Sequence, residues 1–162
     1  MKNIKSYIIK GILFVSVLGT IFHFIYEWSG HNIFVGFFAP TNESIWEHTK
    51  LIFFPMLIYS YFERKYIAKS SVIMGAFWGV WLIISLFYTY SGILGTHFAF
   101  ADVSIFYISV ILSFYIAFKN MVSCKENRYS AILKILLVIM IFLYIIFTFY
   151  PPNIPLFAVW QQ

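Results

Sequence analysis

The chain has 162 residues, of which 62% are hydrophobic and only 10% charged, with a mean hydropathy of +0.85. Soluble domains are nearer half apolar and a quarter charged, so this composition excludes a soluble fold and predicts residence in a membrane. The net charge of +5 does not indicate a nucleic-acid partner. Its basic residues form short clusters between apolar runs, whereas a nucleic-acid-binding protein presents them on one extended face.

Five apolar runs of about twenty residues follow one another, each the length that a helix needs to cross a hydrocarbon core of about 30 Å. They predict an all-α, integral membrane bundle of about five transmembrane helices in a single domain, residues 1–162. The predicted spans cover residues 7–28, 43–62, 72–94, 101–118 and 131–150.

The basic residues orient this predicted bundle. Ten of the eleven lie on one side of the predicted bundle, around the start of the first span, between spans two and three, or around the connection of spans four and five, and only Lys50 lies toward the other side. Cytoplasmic loops of membrane proteins carry the excess of Lys and Arg. We therefore expect a cytoplasmic N-terminus and an extracytoplasmic C-terminus.

The other ionisable residues have the opposite bias. Every histidine and four of the six carboxylates fall at the extracytoplasmic ends of spans one to four. Such groups at membrane depth are costly unless they face the bundle interior, and they often mark functional sites. The sequence predicts a polar pocket, lined by His, Glu and Asn side chains, that opens to the extracytoplasmic side. The residues concerned are His23, Glu27, His31, Glu43, Glu47, His48, His97 and Asp102.

In the first span, His23 and Glu27 are four residues apart and therefore share one helical face. His23 lies well inside the apolar run. One interpretation is a single buried His–Glu hydrogen bond that joins two helices. A second is a role in ligand binding or catalysis, and a third is simple exposure at the membrane interface.

The segment before the second span has the features of a helix start. Thr41 or Asn42 suits an N-cap, Ser44 and Glu47 have capping-box spacing, and acidic residues complement the positive end of a helix. Capping alone does not call for Glu43, Glu47, His48 and Trp46 together.

A catalytic interpretation uses the same segment. If the helix begins near Glu43, then Glu43 and Glu47 stack on one face, with Ser44 and His48 on the neighbouring one. Two carboxylates held close raise one pKa, which suits acid/base chemistry or a cation between them. Glu43, Glu47 and His48 are the candidate catalytic residues.

The remaining candidates form the wall of the predicted pocket. A set of His and carboxylate groups is compatible with zinc or another transition metal, although the His-Glu-x-x-His pattern of zinc proteases is missing. The cofactor is therefore left open, with a divalent metal as one alternative. The candidate binding residues are His23, Glu27, Asn42, Trp46, His97 and Asp102, and the candidate metal ligands are His23, Glu27, His48 and His97.

The run from Phe38 to Leu51, FAPTNESIWEHTKL, resembles the motif of an uncharacterised family of small bacterial multi-pass membrane proteins. That motif reads Pro-x-Asn-Glu-Ser-x-Trp-Glu-His-x-Lys-Leu, and the likeness extends over the whole chain. The resemblance implies a multi-pass protein of the bacterial cell membrane and brings no activity with it. Ala158 and Val159 stand where the family leads us to expect an acidic residue, so the tail is not expected to supply a ligand.

Three functions stay open at this point. An enzyme, a hydrolase or an isomerase on a lipid-like substrate, would use Glu43 or Glu47 as acid/base, with His23, His48 and His97 as metal ligands or proton carriers. A binding protein would hold a cation or a lipid head group with the same residues. An accessory subunit would present its polar face to another membrane protein. The inner halves of the spans carry hardly any polar residues, which argues against a through-pore for ions.

Overall fold

The computed structural model describes residues 2–62, 66–96, 98–123 and 130–159, and all regular structure in these ranges is helical. The prediction of an all-α fold is therefore confirmed. The α-helices, in chain order, are α1 (Lys2–Trp28), α2 (Ile33–Gly36), α3 (Ile45–Tyr61), α4 (Tyr66–Leu94), α5 (Ala99–Val122) and α6 (Ser130–Phe149). A short 3-10 helix, Pro155–Phe157, follows in the tail.

Four of these helices contain stretches that are long and apolar enough to cross a membrane. The stretches are Ile4–Trp28 in α1, Lys69–Leu94 in α4, Ala99–Val122 in α5 and Ala131–Phe149 in α6. The predicted second span, residues 43–62, is the 17-residue α3. At 1.5 Å per residue α3 is about 25 Å long, shorter than a hydrocarbon core of about 30 Å.

The start of α3 differs from the prediction. The backbone N–H of Ser44 donates to Asn42 Oδ1 (3.0 Å), and Ser44 is the N-cap, whose hydroxyl accepts the N–H of Glu47. Asn and Ser side chains that bond to nearby backbone hold it in a turn, so the helix begins only at Ile45. Glu43 therefore lies outside the helix and does not stack on Glu47.

Helix α3 lies in the centre of the bundle. Thirteen of its 17 residues are buried, and α1, α4 and α6 all pack against it. Its first turns carry Glu47, Thr49 and Lys50, which are polar and fully buried. Because protein rather than lipid surrounds α3, these residues find polar partners there.

Successive long helices run antiparallel. Gly11 of α1 packs against Phe114 of α5, and Gly19 packs against Phe106, about two turns nearer the start of α5. In the same way Gly75 of α4 lies against the Ser113 carbonyl. The ends of α1, α4 and α6 therefore lie beside the starts of α3 and α5, and we call this end of the bundle the polar end.

Candidate functional site

A cavity of about 280 Å³ lies at the polar end, between α1, the start of α3 and the start of α5. Most of its surface is apolar, and its ionisable groups are two histidines and two carboxylates. Three elements contribute to the lining: α1 with Thr20, His23 and Phe24, the start of α3 with Glu43 and His48, and α5 with Asp102.

His23 reaches the cavity from α1. Gly19, Thr20 and His23 recur at helical spacing, so one face of α1 forms this wall. The His23 ring lies against that of His48, with 5.5 Å between the ring centroids. Its Nδ1 atom is buried and makes no hydrogen bond within the part of the chain that the structure describes.

His48 and Glu43 form a pair at the start of α3. His48 Nε2 lies 3.3 Å from Glu43 Oε2, and His48 Nδ1 lies 2.9 Å from the backbone oxygen of Ser44. A carbonyl oxygen can only accept, so Nδ1 carries the hydrogen and Nε2 points to the carboxylate. The hydrogen bond with His48 holds the pKa of the Glu43 carboxyl below its ordinary value, although partial burial opposes this shift.

Three predicted residues thus meet at one point. One ligand atom each from His23, Glu43 and His48 lies within 4.8 Å of the other two. Two separate elements, α1 and the start of α3, bring them together. The predicted pocket residues His23 and His48 are neighbours, and the carboxylate beside them is Glu43.

Asp102 lines the cavity from the first turn of α5. The hydroxyl of Tyr90, near the end of α4, donates to Asp102 Oδ1 (2.5 Å) and accepts the backbone N–H of Phe98 (3.0 Å). These two bonds connect the end of α4 to the start of α5 and fix the carboxylate in the cavity wall.

Other predicted site residues have different surroundings. Glu27 is exposed at the end of α1, and Asn42 forms the turn before Ser44. Trp46 is buried on another side of α3, with its ring against Tyr144 at 4.9 Å between centroids. His97 lies outside the described residues.

Glu47 takes part in a second, buried polar cluster on α3. Its Oε2 lies 2.8 Å from Lys50 Nζ and accepts the backbone N–H of Thr41 (2.8 Å). Lys50 also donates to the backbone oxygen of Gly36 (2.8 Å) and to the hydroxyl of Thr148 (2.6 Å) on α6. The cluster connects the segment before α3 to α3 and α6, so Glu47 has a structural role.

Two further lining residues were not predicted. Thr20 Oγ1 lies 3.2 Å from Tyr107 Oη, so α1 and α5 meet at the edge of the cavity through these hydroxyls. Thr20 stands three residues before His23, and helical spacing from that histidine would have found it. Tyr107 is one of twelve tyrosines, and nothing local distinguishes it.

The fold and the cavity define a class: within the described residues, a helical protein with four helices able to cross a membrane and a small cavity, lined by apolar and some ionisable residues, at one end of the bundle. The chain belongs to DUF6512, a family of unknown function, whose model matches residues 1–160. The predicted membership of an uncharacterised family is thereby confirmed. No curated protein and no solved structure matches the chain.

Proposed function

We propose that the chain crosses the bacterial cell membrane five times and binds a small amphiphilic molecule in the cavity at its polar end, on the extracytoplasmic side. The observation that carries this proposal is a largely apolar cavity that contains the cluster of His23, Glu43 and His48 and is lined by residues of α1 and α5, two helices able to cross a membrane.

The packing of α3 along α1 supports the fifth crossing. At the polar end the rings of His48 and His23 are neighbours, and at the other end the rings of Tyr59 and Tyr7 stack with 4.8 Å between centroids. Helix α3 therefore extends beside α1 through most of the thickness that α1 spans. Its shortness is compensated by the protein that buries 13 of its 17 residues, since irregular backbone next to a short helix is tolerated at membrane depth where protein buries it.

The distribution of charge supports the orientation. Lys5 and Lys10 lie in the first turns of α1, Lys69 near the start of α4, and Lys119 near the end of α5. All these positions are at the end of the bundle opposite the cavity. By the positive-inside rule that end is cytoplasmic, so the cavity faces outward.

The rim of the cavity supports access from the lipid. Phe24, Val103 and Tyr107 line it and are 42%, 55% and 39% exposed, and all three belong to spans α1 and α5. The volume of about 280 Å³ is just below the range of about 300–1,000 Å³ usual for small-molecule sites. The cavity therefore suits a polar head group and the first part of its chain, with the rest of the chain in the bilayer.

The charges favour an uncharged head group. The ionisable residues among those that line the cavity are His23, Glu43, His48 and Asp102, with no Lys or Arg in that set. Phosphate head groups are usually bound by Arg or Lys side chains. A hydroxyl group, in contrast, needs no counter-charge, because it can donate to a carboxylate and accept from a His N–H.

A membrane enzyme on a lipid-like substrate is the second candidate, and the His48–Glu43 pair favours it. The Ser44 carbonyl fixes Nδ1 of His48 as a donor, so Nε2 is the nitrogen that would exchange a proton with a substrate, and Glu43 would stabilise the ring in its protonated form. Turnover of an ester-type amphiphile would distinguish this candidate from a binding protein.

Photolabelling tests the proposed site. A diazirine-bearing fatty alcohol is expected to label peptides that contain residues 19–24 and 99–107, and excess hexadecanol should compete. Val103→Trp fills the opening and should lower competed labelling at least about tenfold, equivalent to about 1.4 kcal/mol of lost binding. Val138→Trp is the matched control, because Val138 is similarly exposed (52%) on α6, away from the cavity. Equal labelling of the two variants would contradict the proposal.

A further inference from the structure

We infer that His23, Glu43 and His48 bind one divalent transition-metal ion of the zinc class. This inference goes beyond the proposed function, because amphiphile binding needs no metal and the metal site needs no amphiphile.

The distances between the three side chains suit such an ion. Zinc binds His nitrogen and carboxylate oxygen at about 2.0–2.2 Å in a tetrahedron, which places ligand atoms about 3.3 Å from one another. Glu43 Oε2 and His48 Nε2 are already 3.3 Å apart. All three ligand atoms lie within 4.8 Å of one another, so His23 needs to approach by at most about 1.5 Å, within reach of a side-chain rotation.

His48 is oriented as metal-binding histidines are. Such a histidine almost always donates its other ring N–H to a carbonyl or a carboxylate, which fixes the ring and leaves a lone pair for the metal. The 2.9 Å bond from His48 Nδ1 to the Ser44 carbonyl does this and leaves Nε2 directed at Glu43. Ser44 is itself fixed as the N-cap of α3.

His23 has a buried ring nitrogen without a partner. Its Nδ1 atom makes no hydrogen bond within the described residues, and buried polar atoms in native proteins seldom lack one. The rings of Phe24 and His48 flank the imidazole, with 4.9 Å and 5.5 Å between ring centroids. A metal ion shared with Glu43 and His48 would account for a histidine at this depth in α1.

The donor set selects the class of metal. Two imidazole nitrogens and one carboxylate oxygen are the ligands of many catalytic zinc sites, whereas Ca²⁺ and Mg²⁺ prefer oxygen ligands alone. Three protein ligands leave a fourth position open, and here the cavity adjoins the cluster. The two carboxylates of the lining, Glu43 and Asp102, offset the charge of a divalent ion.

Of the four metal ligands expected from the sequence, His23 and His48 belong to this site. Glu43 takes the place expected for Glu27, which is exposed at the end of α1. The third ligand is therefore determined by the contact between α1 and the start of α3, and the four-residue spacing of His23 and Glu27 does not predict it.

Zinc binding by the purified full chain in detergent tests the inference. After incubation with zinc sulfate and gel filtration, elemental analysis should give one zinc per chain, and millimolar Mg²⁺ or Ca²⁺ should not displace it. His23→Asn and Glu43→Gln should each weaken zinc binding by about 100-fold or more, since losing even an outer-shell partner costs about 10–100-fold. His31→Asn and Glu27→Gln are matched controls at the same end of α1 and should bind as the parent does. Asn tolerates the positive φ of 61° at His31.

Cobalt provides a second readout that does not depend on the amount of folded protein. The cobalt-loaded parent should show the intense visible bands of a tetrahedral ion, and His23→Asn should lose them while its helical circular dichroism is unchanged. Substoichiometric zinc in the parent, or equal zinc binding by His23→Asn and Glu43→Gln, would overturn the inference. Zinc binding without competed photolabelling would support the metal site and contradict the proposed function. Competed photolabelling without zinc binding would support the proposed function and contradict the metal site.

Discussion

Two glutamates four residues apart have opposite surroundings at the start of α3. Glu43 is about half exposed (47%) and contacts His48 beside the cavity, whereas Glu47 is buried (2%) and contacts Lys50. Their spacing of four residues predicts that Glu43 and Glu47 share one helical face, which requires both to lie within the helix. Because Asn42 and Ser44 delay the helix until Ile45, only Glu47 follows helical geometry.

Lys50 is expected to be a determinant of stability. Lys50→Met would remove the partner of a buried carboxylate, and breaking a buried ion pair costs about 3–5 kcal/mol. The double variant Lys50→Met/Glu47→Gln removes both charges and should recover a large part of that loss. Unfolding of the purified protein in detergent measures both, with Lys10→Met, an exposed lysine, as the control. If Lys50→Met unfolds at the same denaturant concentration as the parent, the buried pair does not stabilise the fold.

At the scale of elements, a proline on α3 creates a contact with α1. Pro55 has no N–H, so the carbonyl of Leu51, four residues earlier, lacks its usual helical donor. Gly19 of α1 lies at this carbonyl, and a Cβ on Gly19 would be 2.6 Å from the Leu51 oxygen and 2.6 Å from Phe106. Small residues at such places allow close approach of membrane helices. The contact also sets the distance between the two walls of the cavity.

Gly19→Ala should therefore destabilise the bundle. An added methyl group at this contact has backbone on one side and a buried ring on the other, and overpacking of this kind costs about 1–3 kcal/mol. Gly92→Ala is the control: it also lies in a long helix, but nothing is within 4 Å of its added Cβ. Detergent unfolding should separate the two variants. A Gly19→Ala protein as stable as Gly92→Ala would show that α1 and α3 pack less closely than described.

The sequence predicts best the elements that contain a long apolar run. Helices α1, α4, α5 and α6 each contain such a run, and each corresponds to one predicted span. Helix α3 was harder to predict, because its polar first turns are compatible with either a pocket or a buried structural cluster. His23, Glu43, His48 and Asp102 were all expected at one site. Which of them touch depends on contacts between distant helices, and spacing along the chain does not report those.

At the scale of the whole molecule, basic and acidic residues are distributed asymmetrically along the long axis of the bundle. Lys5, Lys10 and Lys119 lie toward one end, whereas Glu43, His48 and Asp102 lie toward the other. With α3 as a crossing helix, this asymmetry agrees with a cytoplasmic N-terminus and an outward-facing cavity. If α3 did not cross the membrane, α1 and α4 would begin on opposite faces of it. The clusters of basic residues would then be divided between both faces.

Cysteine accessibility in whole bacterial cells tests five crossings and their orientation directly. In a chain with Cys124→Ser, a single cysteine would replace Ser29 after α1, Tyr61 at the end of α3, or Asn153 in the tail. We expect Ser29→Cys and Asn153→Cys to react with an impermeant maleimide on intact cells, and Tyr61→Cys to react only after permeabilisation. Labelling of Tyr61→Cys on intact cells together with Ser29→Cys would contradict the account, because α3 would then not cross the membrane.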